Sequence, residues 1–161
     1  MTVAVYDSQS LVTDGMTTWG NLPLEARFAK AMICGSWVIV LAGDLPAILP
    51  IRQALDGKRF GPDELPVLPG TPTDDAKWEA LAIGPDRICW YCRTGLPVEL
   101  TAPVIGIGSG MDFAIGAIAA GADALTAVRI AVQYDIQCRP PFYQYTYVPK
   151  AGSWKEDRHD A

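Results

Sequence analysis

Apolar and polar positions alternate from the second residue onward. "TVAVYD" reads as a strand, "SQS" as a turn, and "LVTDGMTTWG" as a second strand pairing back on the first. "NLPLEARFAKAMIC" is a connection into a short strand around Lys30 to Cys34. A tight "GS" turn then leads into "WVIVLAG", a continuous apolar run that fits a strand buried on both faces. "DLPAILPIRQALDGKRF" has helical spacing. Asp44 stands at its N-cap position, Pro46 in its first turn, Pro50 inside it, and Gly57 just past the last periodic residue, Leu55. "GPDELPVLPGTPTDD" carries four prolines in fifteen residues and reads as a loop.

"KWEALAIGP", "DRICWYCRTG" and "LPVELTAPVIGIGSG" follow as strands separated by "GPD" and "RTG" turns. After "GSG" the period becomes helical, with "MDFAIGAIAAG" and "ADALTAVRIAVQYD" as two helices and Gly121 between them. The small residues Ala114, Gly116, Ala117, Ala119 and Ala120 permit close helix packing. "PPFYQYTYVP" is a last strand, with Phe142, Gln144, Thr146 and Val148 on one face. The order strands, helix, strands, two helices, strand, with sequential hairpins, predicts layers of antiparallel sheet covered by helices. A chain of 161 residues fits one domain, here residues 1–149, followed by a polar tail, 150–161, read as mobile.

Composition narrows the chemistry. Half the residues are hydrophobic, enough for a sizeable core, and the net charge of −5 argues against nucleic-acid or anionic-membrane partners. No apolar run reaches the ~18 residues that span a bilayer. The N-terminus has neither a basic nor an apolar signal region, so a cytoplasmic location is expected. The cysteines are Cys34, Cys89, Cys92 and Cys138. Cys89 and Cys92 have C-x-x-C spacing, but on a strand residues three apart point to opposite faces, so buried, reduced thiols are expected and no metal or cofactor. The single histidine, His159, lies in the polar tail. A Ser-His-Asp or Cys-His site in the folded body is thereby disfavoured, and any hydrolytic base has to be a carboxylate, a lysine or a terminal amine.

Four places carry candidate chemistry. "GIGSGM" lacks the third glycine of a dinucleotide fingerprint and follows hairpins; it fits a strand-to-helix turn with close backbone approach, placing Ser109 near the helix start. Asp14, flanked by Thr13, Gly15, Thr17 and Thr18, reads as a turn cap. Lys30 heads an otherwise apolar strand, where a lone lysine is usually an edge device and a lysine beside an aspartate is a partly buried pair. Thr2 is either the first residue of an edge strand or, if Met1 is removed, a residue with both a hydroxyl and a free α-amine. That amine, with a reference pKa of about 7.7–8.0, can serve as the base that a chain poor in histidine otherwise lacks. Lys30 would then lower the amine's pKa, Asp14 would orient Lys30, and the Gly43 N–H in "LAGD" is the candidate oxyanion donor.

Taken in order, these motifs resemble the proteasome β-subunit and bacterial HslV-type family of N-terminal nucleophile hydrolases. In pattern they are most similar to the small proteasome-like proteins of phages and prophages. Thr2 matches the family's exposed threonine, "DGMTTWGN" its Asp-Gly stretch (Asp14), and Lys30 its lysine sixteen residues on. Ala42 and Gly43 match the "AG" after its buried strand, "IGSG" its supporting serine (Ser109), and "ALTAVRIAVQYDIQC" its following helix ending at Asp135. The likeness covers about residues 1 to 140. It implies an α+β, four-layer α/β/β/α sandwich and threonine-type hydrolysis of peptide or amide bonds without a cofactor. It also implies a peptide or protein substrate and a homo-oligomer, with a ring possible. The chain departs from the larger peptidases at "GPDELPVLPGTPTDD", where they carry a long second helix used in ring packing, and its turn after Lys30 is shorter. Leu41 suggests a small apolar specificity pocket. Nothing in the chain specifies the ATPase partner of the HslV type. The alternatives are a non-catalytic assembly or virion component on the same scaffold, and an amide hydrolase acting on a small molecule.

Overall fold

The structure is a computed structural model. It describes residues 2–15, 17–19, 22–24, 29–71 and 77–161. Twelve strands and three helices are present among them. In chain order these are β1 (Ala4–Tyr6), β2 (Ser10–Asp14), β3 (Thr17–Trp19), β4 (Leu22–Leu24), β5 (Ala31–Cys34), β6 (Trp37–Gly43) and α1 (Leu45–Leu55). Then come β7 (Trp78–Ile83), β8 (Ile88–Cys92), β9 (Val98–Leu100), β10 (Ile105–Ile107), α2 (Met111–Ala119), α3 (Ala124–Tyr134), β11 (Phe142–Val148) and β12 (Ser153–His159).

The chain divides into two compact units. The first gathers 1–30, 102–146 and 155–161; the second gathers 31–101 and 147–154. Each has a five-stranded sheet built on antiparallel pairs.

In the first unit the strand order is β10-β1-β2-β11-β12. Val5 lies opposite Val12 in the β1–β2 pair, and Phe142 opposite Asp14 in the β2–β11 pair. Val3, Val5, Val12 and Phe142 pack with Ala114, Ala124, Ala127, Val128 and Ala131 of α2 and α3. Of the small residues expected to pack closely, only Ala114 is buried in this core, while Gly116, Ala119 and Ala120 are exposed; the other small residues packed there are Ala124, Ala127 and Ala131 of α3. α3 begins at an N-cap, Asp123, whose carboxylate accepts the Thr126 N–H at 2.7 Å.

In the second unit the order is β5-β6-β7-β8-β9. β6 is buried from Trp37 to Ala42, as its continuous apolar run required. α1 presents Ile48, Ile51 and Leu55 inward and runs through Pro50; Asp44 sits at its N-cap but makes no side-chain cap hydrogen bond. The described part of the proline-rich segment, 61–71, is free of helix and strand and is pinned by aromatic side chains. Trp37 Nε1 donates to the Gly61 carbonyl, the Tyr91 hydroxyl to the Pro66 carbonyl, and Trp78 Nε1 to Thr71 Oγ1, at 2.9, 2.7 and 3.1 Å.

One expectation needs correction. The segment 150–161 is not a mobile tail: Ser153–His159 forms β12, next to β11. Its charges mask the pattern, yet Trp154 is buried, Lys155 pairs with Asp157 at 3.0 Å, and a charged strand suits a sheet edge. β11 spans Phe142–Val148, so Phe142, Gln144, Thr146 and Val148 alternate onto one face as expected. Phe142 and Tyr145, three apart and so on opposite sides, are both buried, while Thr146 is exposed.

Candidate functional site

The start of β1 is tied to the end of β2 by an exchange of bonds around Asp14. The Val3 N–H donates to Asp14 Oδ1 at 3.0 Å, and the Asp14 N–H donates to the Val3 carbonyl at 3.1 Å. Lys30 Nζ donates to the same Oδ1 at 2.7 Å, and the Arg139 N–H donates to Oδ2 at 3.2 Å. Asp14 is fully buried and Lys30 nearly so, making this an ion pair out of water. Burial pushes the Asp14 carboxyl above its usual range, against the pull of the Lys30 ammonium and the backbone donors. Val3 N and Lys30 Nζ share one acceptor atom, so the peptide bond that follows Thr2 lies beside the lysine.

The other side of Thr2 is built by "GIGSG". The Gly110 N–H donates to the Thr2 carbonyl at 3.3 Å. Gly108 has φ +88°, and a Cβ there would sit 2.0 Å from that carbonyl oxygen; a Cβ on Gly110 would sit 2.8 Å from Val3 Cβ. These glycines let the turn come against the first residues, a close approach to the chain itself rather than a phosphate cradle. Ser109 Oγ lies 3.5 Å from the Thr2 carbonyl and 2.5 Å from Asp135 Oδ2. One hydroxyl proton cannot serve both, and the shorter bond takes it. Asp135 Oδ1 accepts the Gln137 N–H at 2.9 Å, and Cys138 Sγ lies 3.3 Å from Oδ2. Burial opposes the charge on Asp135, but the Ser109, Gln137 and Cys138 donors together hold its carboxyl below the usual range. Burial pushes the Cys138 thiol up, so it stays a neutral donor.

Four of the expected residues, Thr2, Asp14, Lys30 and Ser109, therefore gather in the first unit. Gly43 belongs to the second unit. There it has φ +140°, and a Cβ would meet the Lys77 carbonyl oxygen at 2.3 Å, so its sheet already requires glycine. Leu41 is buried in the same strand. Sequence reasoning missed Cys138 and the Arg139 peptide. It placed Asp135 only as a helix end, and its one local signal was an aspartate followed by a turn. Among the described residues no three His, Cys, Asp or Glu side chains stand close enough to hold a metal ion.

No family model and no curated protein sequence matches the chain. Solved structures do. A Gly-1 mutant of Anbu from Hyphomicrobium sp. strain MC1 matches with a TM-score of 0.69 at 14% identity, over 100% of this chain and 88% of that one. HslV from Trypanosoma brucei matches with a TM-score of 0.60 at 18% identity, over all of both chains. BPH from Thiobacillus denitrificans, in complex with epoxomicin, matches with a TM-score of 0.63 at 16% identity, over 91% of this chain and 97% of that one.

The chain has the proteasome-like fold of the N-terminal nucleophile hydrolases. These likenesses carry the proteasome-like part of the expectation and not its phage part. Both five-stranded sheets and all three helices belong to that proteasome-like α+β fold. Among the described residues no helix is long and apolar enough to cross a membrane.

Proposed function

We propose that the chain is a threonine-type N-terminal nucleophile hydrolase of peptide or amide bonds, active once Met1 is removed. The observation that carries this is the buried Lys30–Asp14 pair, hung on the carboxylate oxygen that also receives the N–H following Thr2. In this reading the free α-amine of Thr2 takes the proton of its own hydroxyl as the oxygen attacks the carbonyl. The C–N bond breaks, the departing amine leaves with that proton, and water then hydrolyses the ester and restores the hydroxyl. The Lys30 ammonium keeps the amine unprotonated and stabilises the developing negative charge, and Asp14 holds Lys30 in place. Ser109, fixed by Asp135, anchors the turn whose Gly110 N–H holds the Thr2 carbonyl. The substrate is a peptide or protein and the working form a homo-oligomer.

The test is intact mass followed by labelling. Protein expressed without an N-terminal tag should lack Met1, and a threonine-directed electrophile should add once, at Thr2. Epoxomicin, held by the Thiobacillus protein, is the first compound to try. Thr2→Ala should lose labelling and hydrolysis together. Hydrolysis that survives in Thr2→Ala would refute the mechanism. Retained Met1 without labelling would leave the fold as an assembly component.

A further inference from the structure

The two helices of the first unit meet at the candidate site by their ends. α2 starts at Met111, two residues after Ser109, and α3 ends at Tyr134, one residue before Asp135. The 2.5 Å Ser109–Asp135 bond therefore joins the head of one helix to the tail of the other. Apart from that bond, the Gly110 N–H reaches the Thr2 carbonyl at 3.3 Å and Asp135 accepts the Gln137 N–H at 2.9 Å. The N-cap of α2 is Gly110, which has no capping side chain, and terminal helical turns fray. Ser109 is exposed, so water competes for its bond. Outside this junction the Phe113 ring, in the first turn of α2, stacks on the Tyr134 ring, the last residue of α3. The centroids are 5.5 Å apart and the planes 24° from parallel. The rings are 45% and 65% exposed, so they do not fill the core, whose fully buried helix residues are alanine and valine.

We propose that the Phe113–Tyr134 stack is a clasp that fixes the head of α2 against the tail of α3. It thereby sets the separation of Ser109 and Asp135 and steadies the carbonyl of Thr2. Both are positioning residues: they act through Ser109 and Asp135. The clasp itself stands on geometry; only its effect on Thr2 reactivity rests on the hydrolase reading.

The experiment compares Phe113→Leu and Tyr134→Leu, which remove the stack and keep apolar bulk, with Phe113→Tyr and Tyr134→Phe, which keep it. Amide hydrogen exchange is followed at Gly110, donor to the Thr2 carbonyl, and at Gln137, donor to Asp135. Ala127, whose N–H is bonded near the far end of α3 to the Asp123 carbonyl, is the reference. The leucine variants should exchange roughly two- to tenfold faster at Gly110 and Gln137, the range to which the worth of an aromatic pair converts. Ala127 should be unchanged, and the aromatic replacements should restore native rates. Acylation of Thr2 should slow within the same range and recover with the same replacements. Unchanged exchange at Gly110 and Gln137 would overturn the clasp, as would an equal rise at Ala127, which would mean general loosening. If native Thr2 is not acylated, the hydrolase reading fails while exchange still decides the clasp.

Discussion

Lys30→Met removes the ammonium from Asp14 and keeps most of the side-chain volume. Lys30 and Asp14 are 4% and 0% exposed with Nζ 2.7 Å from Oδ1, which decides the magnitude. An exposed pair contributes at most about 1 kcal/mol. Breaking a buried pair from one side costs about 3–5 kcal/mol, because the remaining charge is left uncompensated. Val3 and Arg139 still donate to the stranded carboxylate, so the expected loss is near the lower end, about 3 kcal/mol. Adding Asp14→Asn removes the stranded charge, and the double variant should be more stable than Lys30→Met alone. Urea unfolding followed by tryptophan emission gives both numbers by linear extrapolation. The pH dependence has a definite sign. Burial raises the Asp14 carboxyl, and losing the lysine raises it further. Stability linked to a raised group is fully present below its unfolded value of about 3.9 and is lost as pH rises through the folded value. The gap between variant and native protein should therefore narrow as pH falls. A loss under about 1 kcal/mol at pH 7, or a gap that widens on acidification, would refute the reasoning.

Gly108→Ala places a methyl 2.0 Å from the Thr2 carbonyl oxygen at φ +88°, whereas Gly121→Ala at φ +104° meets nothing within 4 Å. Thermal unfolding should show a loss of about 3 kcal/mol or more for the first and about 1 kcal/mol for the second; equal losses would mean that the close approach is not what requires Gly108. Cys34, Cys89 and Cys138 are buried, with thiols pushed up by burial, and Cys92 is half-buried. A thiol reagent should modify one cysteine quickly in the native protein and four in urea; two or more fast thiols in the native protein would contradict the described packing.

Local pattern made much of the fold legible. α3 follows from its period and β6 from its apolar run, because both patterns arise from the faces these elements bury. β12 was hidden because Lys155, Glu156, Asp157 and Arg158 outweigh Trp154 in any local reading, and edge strands tolerate such charge. The pairing of β10 with β1 joins residues about a hundred apart, and no local rule announces it. The same holds at the site. The sixteen-residue spacing of Lys30 from Asp14 had meaning only through resemblance. The glycines of "GIGSG" stayed ambiguous until packing showed Gly108 against the Thr2 carbonyl. Cys138 read as an ordinary buried thiol because its partners, Ser109 and Asp135, come from the heads and tails of two helices.

The bonds that hold the first residues in place belong to backbone groups. Gly110 holds the carbonyl of Thr2 and Asp14 the amide of Val3, so Thr2→Ala keeps both. The methyl and hydroxyl it removes sit at a buried position, 4% exposed, and a small truncation of this kind should cost roughly 1 kcal/mol. Gly108→Ala, in contrast, strikes the same carbonyl and should lower stability and Thr2 labelling together. Denaturant midpoints and labelling rates measured on the two variants therefore separate reactivity from fold. If Thr2→Ala unfolds as easily as Gly108→Ala, the threonine is held for its packing, and its hydroxyl is a part of the core rather than a group kept ready to react.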